Sequence, residues 1–70
     1  MMPLHLATQT VPQVVRHVGG SPEIKKHLED LGFTVGSEVT VVSSLAGNLI
    51  VKVKDSRVAI GKDLATKILV

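Results

Sequence analysis

Residues 49–60 read LIVKVKDSRVAI. Apolar and polar residues alternate here with period two: Leu49, Val51 and Val53 point one way, Lys52 and Lys54 the other. With Asp55-Ser56 as a two-residue turn, Val53 faces Val58 and Val51 faces Ile60, so one side of the hairpin is apolar throughout. A slip of one residue would carry lysines into the core, which specifies the register strongly. The chain reads first as a β protein, and its other segments must fit around this hairpin.

Upstream, Val39 and Val41 carry the same period, and the stretch SSLAGN (43–48) reads as the turn that joins them to Leu49. Downstream, residues 61–66 are long enough for one helical turn. KILV (67–70) then closes as a last strand with Ile68 and Val70 inward. Toward the N-terminus, VPQVVRHVGG (11–20) is ambiguous. Val11, Val14, Val15 and Val18 fit a helical template, but Pro12, the β-branched content and the Gly19-Gly20 stop favour a strand, with a bulge in it. Leu4 and Leu6 bracket His5, as in a short edge strand or an arm on the core.

One segment is plainly helical. In SPEIKKHLEDLG (21–32), Ser21 can cap the first turn and Pro22 occupies the first helical position, where its missing N–H costs nothing. Glu23 suits the positive end of the dipole. Ile24, Leu28 and Leu31 make one apolar stripe, while Lys25, Lys26, Glu29 and Asp30 face water. The helix is expected over 22–31. It exits through LGFTVG (31–36), where Gly32 and Gly36 raise three readings: a phosphate loop, a membrane-helix contact or structural punctuation. Phosphate loops feed into a helix N-terminus and carry a Lys-Ser/Thr pair, whereas here the glycines follow a helix. A membrane contact needs an apolar 20-residue setting that the charged flanks deny. Punctuation fits best. With Gly32 at C′, Phe33 falls at C″ and Leu28 at C3, the two positions that touch in a Schellman cap. Gly36 then turns the chain toward Val39. About five short strands and one helix give a mainly β, mostly antiparallel small barrel in a single domain, 1–70.

Composition narrows the function. The 70 residues contain no cysteine, so neither disulfides nor thiolate metal sites support the fold. No apolar run reaches membrane-span length and the N-terminus lacks the marks of a signal peptide. A soluble, cytoplasmic protein is expected. Eight Lys+Arg against six Asp+Glu leave it only mildly basic. Lys52, Lys54 and Arg57 gather on the outer face of the hairpin, but single-strand binders add exposed aromatic platforms, and Phe33 is the only aromatic residue. His5, His17 and His27 lie ten or more residues apart on different elements, so neither a metal site nor a cofactor is expected. Ser43, Ser44 and Ser56 fall in expected turns without a base beside them, which argues against nucleophilic catalysis. What remains is a binding module. Leu45 in the loop and Ile50 on the lysine face have no place in the core and are candidate contact residues.

The ordered run IKKHLEDLGFTVGSEVTVV, then GNLIVKVKDSRVAI and the terminal LATKILV, resembles the FeoA family of small proteins of bacterial ferrous iron transport, from Leu4 to Val70. The resemblance implies a Src-homology-3-like (SH3-like) barrel. It also implies a non-enzymatic accessory role, exerted on the cytoplasmic part of a FeoB-like, GTPase-coupled membrane permease. Lys25 and Lys26, with Leu45 and Ile50, are the expected partner-binding residues, and Leu28, Gly32, Phe33 and Gly36 the structural ones. Nucleic acid and direct membrane insertion are not expected; weak self-association is. The same barrel implies an alternative, the C-terminal regulatory domain of a DtxR-type metal-dependent repressor, but the initiating methionine and the absence of a helix-turn-helix segment point to a stand-alone protein. Three positions and one stretch depart from the family pattern: Val35 where proline is common, Asp55 where a hairpin glycine is common, Leu64 in place of glutamate, and Thr8-Gln9-Thr10 without the usual glycine.

Overall fold

The computed structural model describes residues 1–70. Its order is a 3-10 turn at Leu4–Leu6, β1 (Gln13–Val14), β2 (His17–Val18), α1 (Pro22–Asp30), β3 (Glu38–Leu45), β4 (Asn48–Val53), β5 (Ser56–Gly61), α2 (Lys62–Ala65) and β6 (Ile68–Leu69). Strands β1-β3-β4-β5 form one antiparallel sheet and β2-β6 a second. Fifteen buried apolar residues form a single core between them, with Phe33, Leu4, Leu28 and Ile68 the largest fully enclosed side chains.

The β4–β5 hairpin forms with the expected faces but a different turn. The pairs are Val53↔Ser56, Val51↔Val58 and Leu49↔Ile60, so the turn is Lys54-Asp55 rather than Asp55-Ser56. The shift moves each partner by two residues, and because strand faces repeat every two, the apolar side stays inward. The left-handed position therefore belongs to Lys54 (φ 55°), not Asp55. At the other end of β4, strand β3 continues through Ser43, Ser44 and Leu45, which sequence placed in a loop. Only Ala46-Gly47 turns, with both φ values positive (50° and 82°), as two-residue hairpins prefer. A bulge between Val41 and Ser43 supplies the extra β3 residue.

Segment 11–20 is two strands of two residues, not one, which makes six strands in all. Backbone partners change at the break: Val15 donates to Ser37 and accepts from Gly36 (2.9 and 2.8 Å), whereas the Arg16 N–H turns to Leu69 (2.7 Å). Val15 and Val18 are both buried although three residues apart, a spacing that one flat strand cannot bury on one face. The chain thus turns a corner from one sheet to the other, the usual way such barrels close. Leu4–Leu6 is a 3-10 turn rather than a strand: Leu4 enters the core while Leu6 is exposed. Thr10, in the stretch lacking the family's glycine, takes φ 67°, a conformation a β-branched residue adopts reluctantly.

Helix α1 follows its sequence signals. The Ser21 hydroxyl accepts from the Ile24 N–H (3.3 Å), and Leu31 is the C-cap. Beyond it Gly32 takes φ 107°, the Phe33 N–H donates to the Leu28 carbonyl and the Gly32 N–H to that of Glu29 (both 2.9 Å). These two bonds are the Schellman pair. A further constraint is tertiary: a Cβ on Gly32 would lie 2.6 Å from Val53 Cγ1, so this glycine also lets the helix end meet β4. Gly36 turns at φ 92° in open space.

Candidate interaction surface

The outward face of the four-stranded sheet collects the residues that sequence singled out on the hairpin. Strand pairing sets them in rows: Thr40–Lys52–Arg57, then Ser43–Ile50–Ala59, then Leu45–Asn48–Gly61. Leu45 and Ile50 are diagonal neighbours on this face, close enough for long side chains to touch one partner. Leu45 is 77% exposed and Ile50 half-buried. Lys52 and Arg57 stand directly opposite each other, an arrangement of like charges that weakens a sheet. Beside them Pro12, Glu38, Thr40, Lys52 and Lys54 line a shallow depression of about 290 Å³.

Lys25 and Lys26 are exposed on α1, whereas Leu45 and Ile50 lie on β3 and β4. Sequence reasoning missed the opposed Lys52–Arg57 pair because its hairpin register set Lys54 against Arg57. It also missed the free edge of β5, which becomes visible only once the strand order is known.

Ser43, Ser44 and Ser56 are strand residues facing Ile50, Leu49 and Val53, and the protein's side-chain hydrogen bonds are local capping and turn bonds, none joining a serine to a histidine. His5, His17 and His27 lie on the 3-10 turn, β2 and α1, and no three of the His, Asp and Glu side chains group closely enough to hold a metal ion. His5 Nδ1 is buried without a hydrogen-bond partner. Phe33, the only Phe, Tyr or Trp of the chain, is 0% exposed and supplies no aromatic platform to this surface. No helix is long and apolar enough to cross a membrane.

Comparison with known proteins places this architecture. A candidate Fe(2+) transport protein A of Methanocaldococcus jannaschii is 31% identical over 70 residues, covering 100% of this chain and 85% of that one. Among solved structures, an iron uptake regulatory protein, FeoA, superposes with a TM-score of 0.88 at 28% identity, covering 96% of this chain and 91% of that one. The zinc-complexed FeoA of Stenotrophomonas maltophilia, described as a prokaryotic SH3 domain protein, gives 0.84 at 27% identity, with 99% and 88% coverage. A manganese-dependent transcriptional repressor shares the fold alone: 20% identity, a TM-score of 0.82, and 38% of its length covered. The barrel is thus SH3-like. The FeoA domain model spans residues 2–70, and the chain belongs to the FeoA family.

Proposed function

We propose that the protein is a non-enzymatic accessory of ferrous iron uptake, working in the cytoplasm by contact with the cytoplasmic part of a FeoB-type, GTPase-coupled permease. The observation that carries this reading is the alignment of the whole chain with an Fe(2+) transport relative. It is supported by a surface furnished for protein contact: exposed Leu45 beside half-buried Ile50 on the sheet, and exposed Lys25 and Lys26 on α1. Apolar anchors supply affinity in such contacts, while peripheral charges steer encounter.

The test is retention of the cognate permease's cytoplasmic domains on the immobilised protein at low salt. Retention is expected, weakened by Lys25→Glu with Lys26→Glu and by Leu45→Ser. Failure of the unaltered protein to retain them would refute the reading.

A further inference from the structure

The two sheets end very differently at their edges. Strand β1 is two residues long and preceded by Pro12, which blunts that side. Strand β6 is flanked by the N-terminal segment, where Met2 and Val70 exchange both backbone hydrogen bonds and Pro3 bridges Leu69. Strand β5 is the exception. It is six residues long, pairs with β4 in unbroken register and contains no proline.

Its outer edge is free. A two-residue turn makes the pair flanking it, Val53 and Ser56, the kind that exchanges both hydrogen bonds, and the kinds then alternate. Val51–Val58 and Leu49–Ile60 follow suit, so Arg57 and Ala59 direct their N–H and C=O groups away from β4. Neither residue takes part in any backbone hydrogen bond outside the regular elements, and both are exposed. An unpaired edge of this kind is a template for an added strand.

Charge selects the occupant. Arg57 sits on the edge with Lys52 directly behind it, and neutral Thr40 completes the row. A second copy of the chain would bring the same basic edge against this one, whereas a carboxylate beside Arg57 would relieve an opposition of like charges already present. On the other face Val58 is half-buried at the rim and offers apolar contact to a guest, while Ile60 is enclosed in the core. We propose that the free edge of β5 is a docking site for an extended, acidic segment of a partner protein, which adds as a fifth strand with a carboxylate beside Arg57. The inference rests on the reading that the protein acts by binding another protein.

The probe is a blocked eight-residue peptide in which valine alternates with threonine, one central threonine replaced by glutamate. It is titrated into the ¹⁵N-labelled full chain. Expected are saturable shifts centred on Arg57 and Ala59, slowed exchange of those two amides, and affinity about tenfold lower for Arg57→Glu, recovered when the peptide's glutamate is lysine. Ala59→Pro removes one outward donor at an edge position where proline is tolerated, so it should keep a native spectrum and lose the peptide. Shifts elsewhere, or equal binding of glutamate and lysine peptides by the unaltered chain, would overturn the proposal. So would concentration-dependent protection of Ala59 without peptide, which would assign the edge to a second copy. If the peptide binds but the permease domains are never retained, the edge site stands and the permease reading falls. If the domains are retained equally by Ala59→Pro and the peptide does not bind, the reverse holds.

Discussion

Replacing Gly32 by alanine perturbs two things at once, and the structure allows them to be separated. At φ 107° any residue with a Cβ is strained, at a cost of about 1–2 kcal/mol. The new Cβ also falls 2.6 Å from Val53 Cγ1, and Val53 is itself a buried, β-branched core residue whose side chain is stiff. Overpacking of this kind costs about 1–3 kcal/mol. Gly32→Ala is therefore expected to lose about 2–5 kcal/mol, which for a domain of this size lowers the melting temperature by roughly 8–40 °C. Gly36→Ala is the internal control. Its φ of 92° carries the same backbone strain, but nothing lies within 4 Å of the added Cβ, so about 1–2 kcal/mol is expected. Urea denaturation followed by circular dichroism measures both. Val53→Ala in the Gly32→Ala background should relieve the overlap, making the double variant less destabilised than the sum of the singles by about 1–3 kcal/mol. Equal costs for the two glycines, or strict additivity with Val53→Ala, would refute the claim that close approach to β4 fixes this residue.

Other expectations follow from single contacts. Lys54→Gly should stabilise by about 0.5–1 kcal/mol because Lys54 holds the left-handed turn position, while Asp55→Gly should not; thermal melts of the pair distinguish the observed turn from the one-residue alternative. Phe33→Ala removes the largest enclosed side chain and should cost about 3–5 kcal/mol, leaving little folded protein by far-ultraviolet circular dichroism and amide spectra. Ser21→Ala removes the helix cap and should cost about 0.5–1 kcal/mol in urea, near the lower end because the hydroxyl is exposed. Leu45→Ser should leave stability within about 0.5 kcal/mol of the parent while weakening permease retention.

Legibility in the sequence tracked how local each determinant was. The helix start and its glycine exit were readable, the end to within one residue (Asp30 rather than Leu31), because Ser21, Pro22, Gly32 and Phe33 act on backbone groups at most five positions away. The apolar face of β3–β5 was readable because strand periodicity is indifferent to a two-residue shift in partner. That same indifference hid the true turn: nothing in KDS says whether lysine or aspartate takes the positive φ. The corner at Val15–Arg16 was marked only by an odd spacing of valines, since its cause lies in Ser37 and Leu69, far along the chain. The contact residues were legible one at a time, through Leu45 and Ile50, but not as a surface. Rows across strands, the opposed Lys52–Arg57 pair and the free edge of β5 are properties of register and strand order, which no short stretch encodes.

The pairing of Met2 and Pro3 with Val70 and Leu69 has a kinetic meaning. The β3–β4–β5 meander is made of near neighbours and can form as soon as those residues meet, on the microsecond scale of hairpins. The seam joins residues 2–3 to residues 69–70, a long separation in sequence, so its closure entropy is repaid only after much of what lies between is in place. Folding should therefore finish, and unfolding begin, at this seam. On the ribosome the core would stay open, with Leu4 unsheltered, until the last residues of β6 leave the exit tunnel.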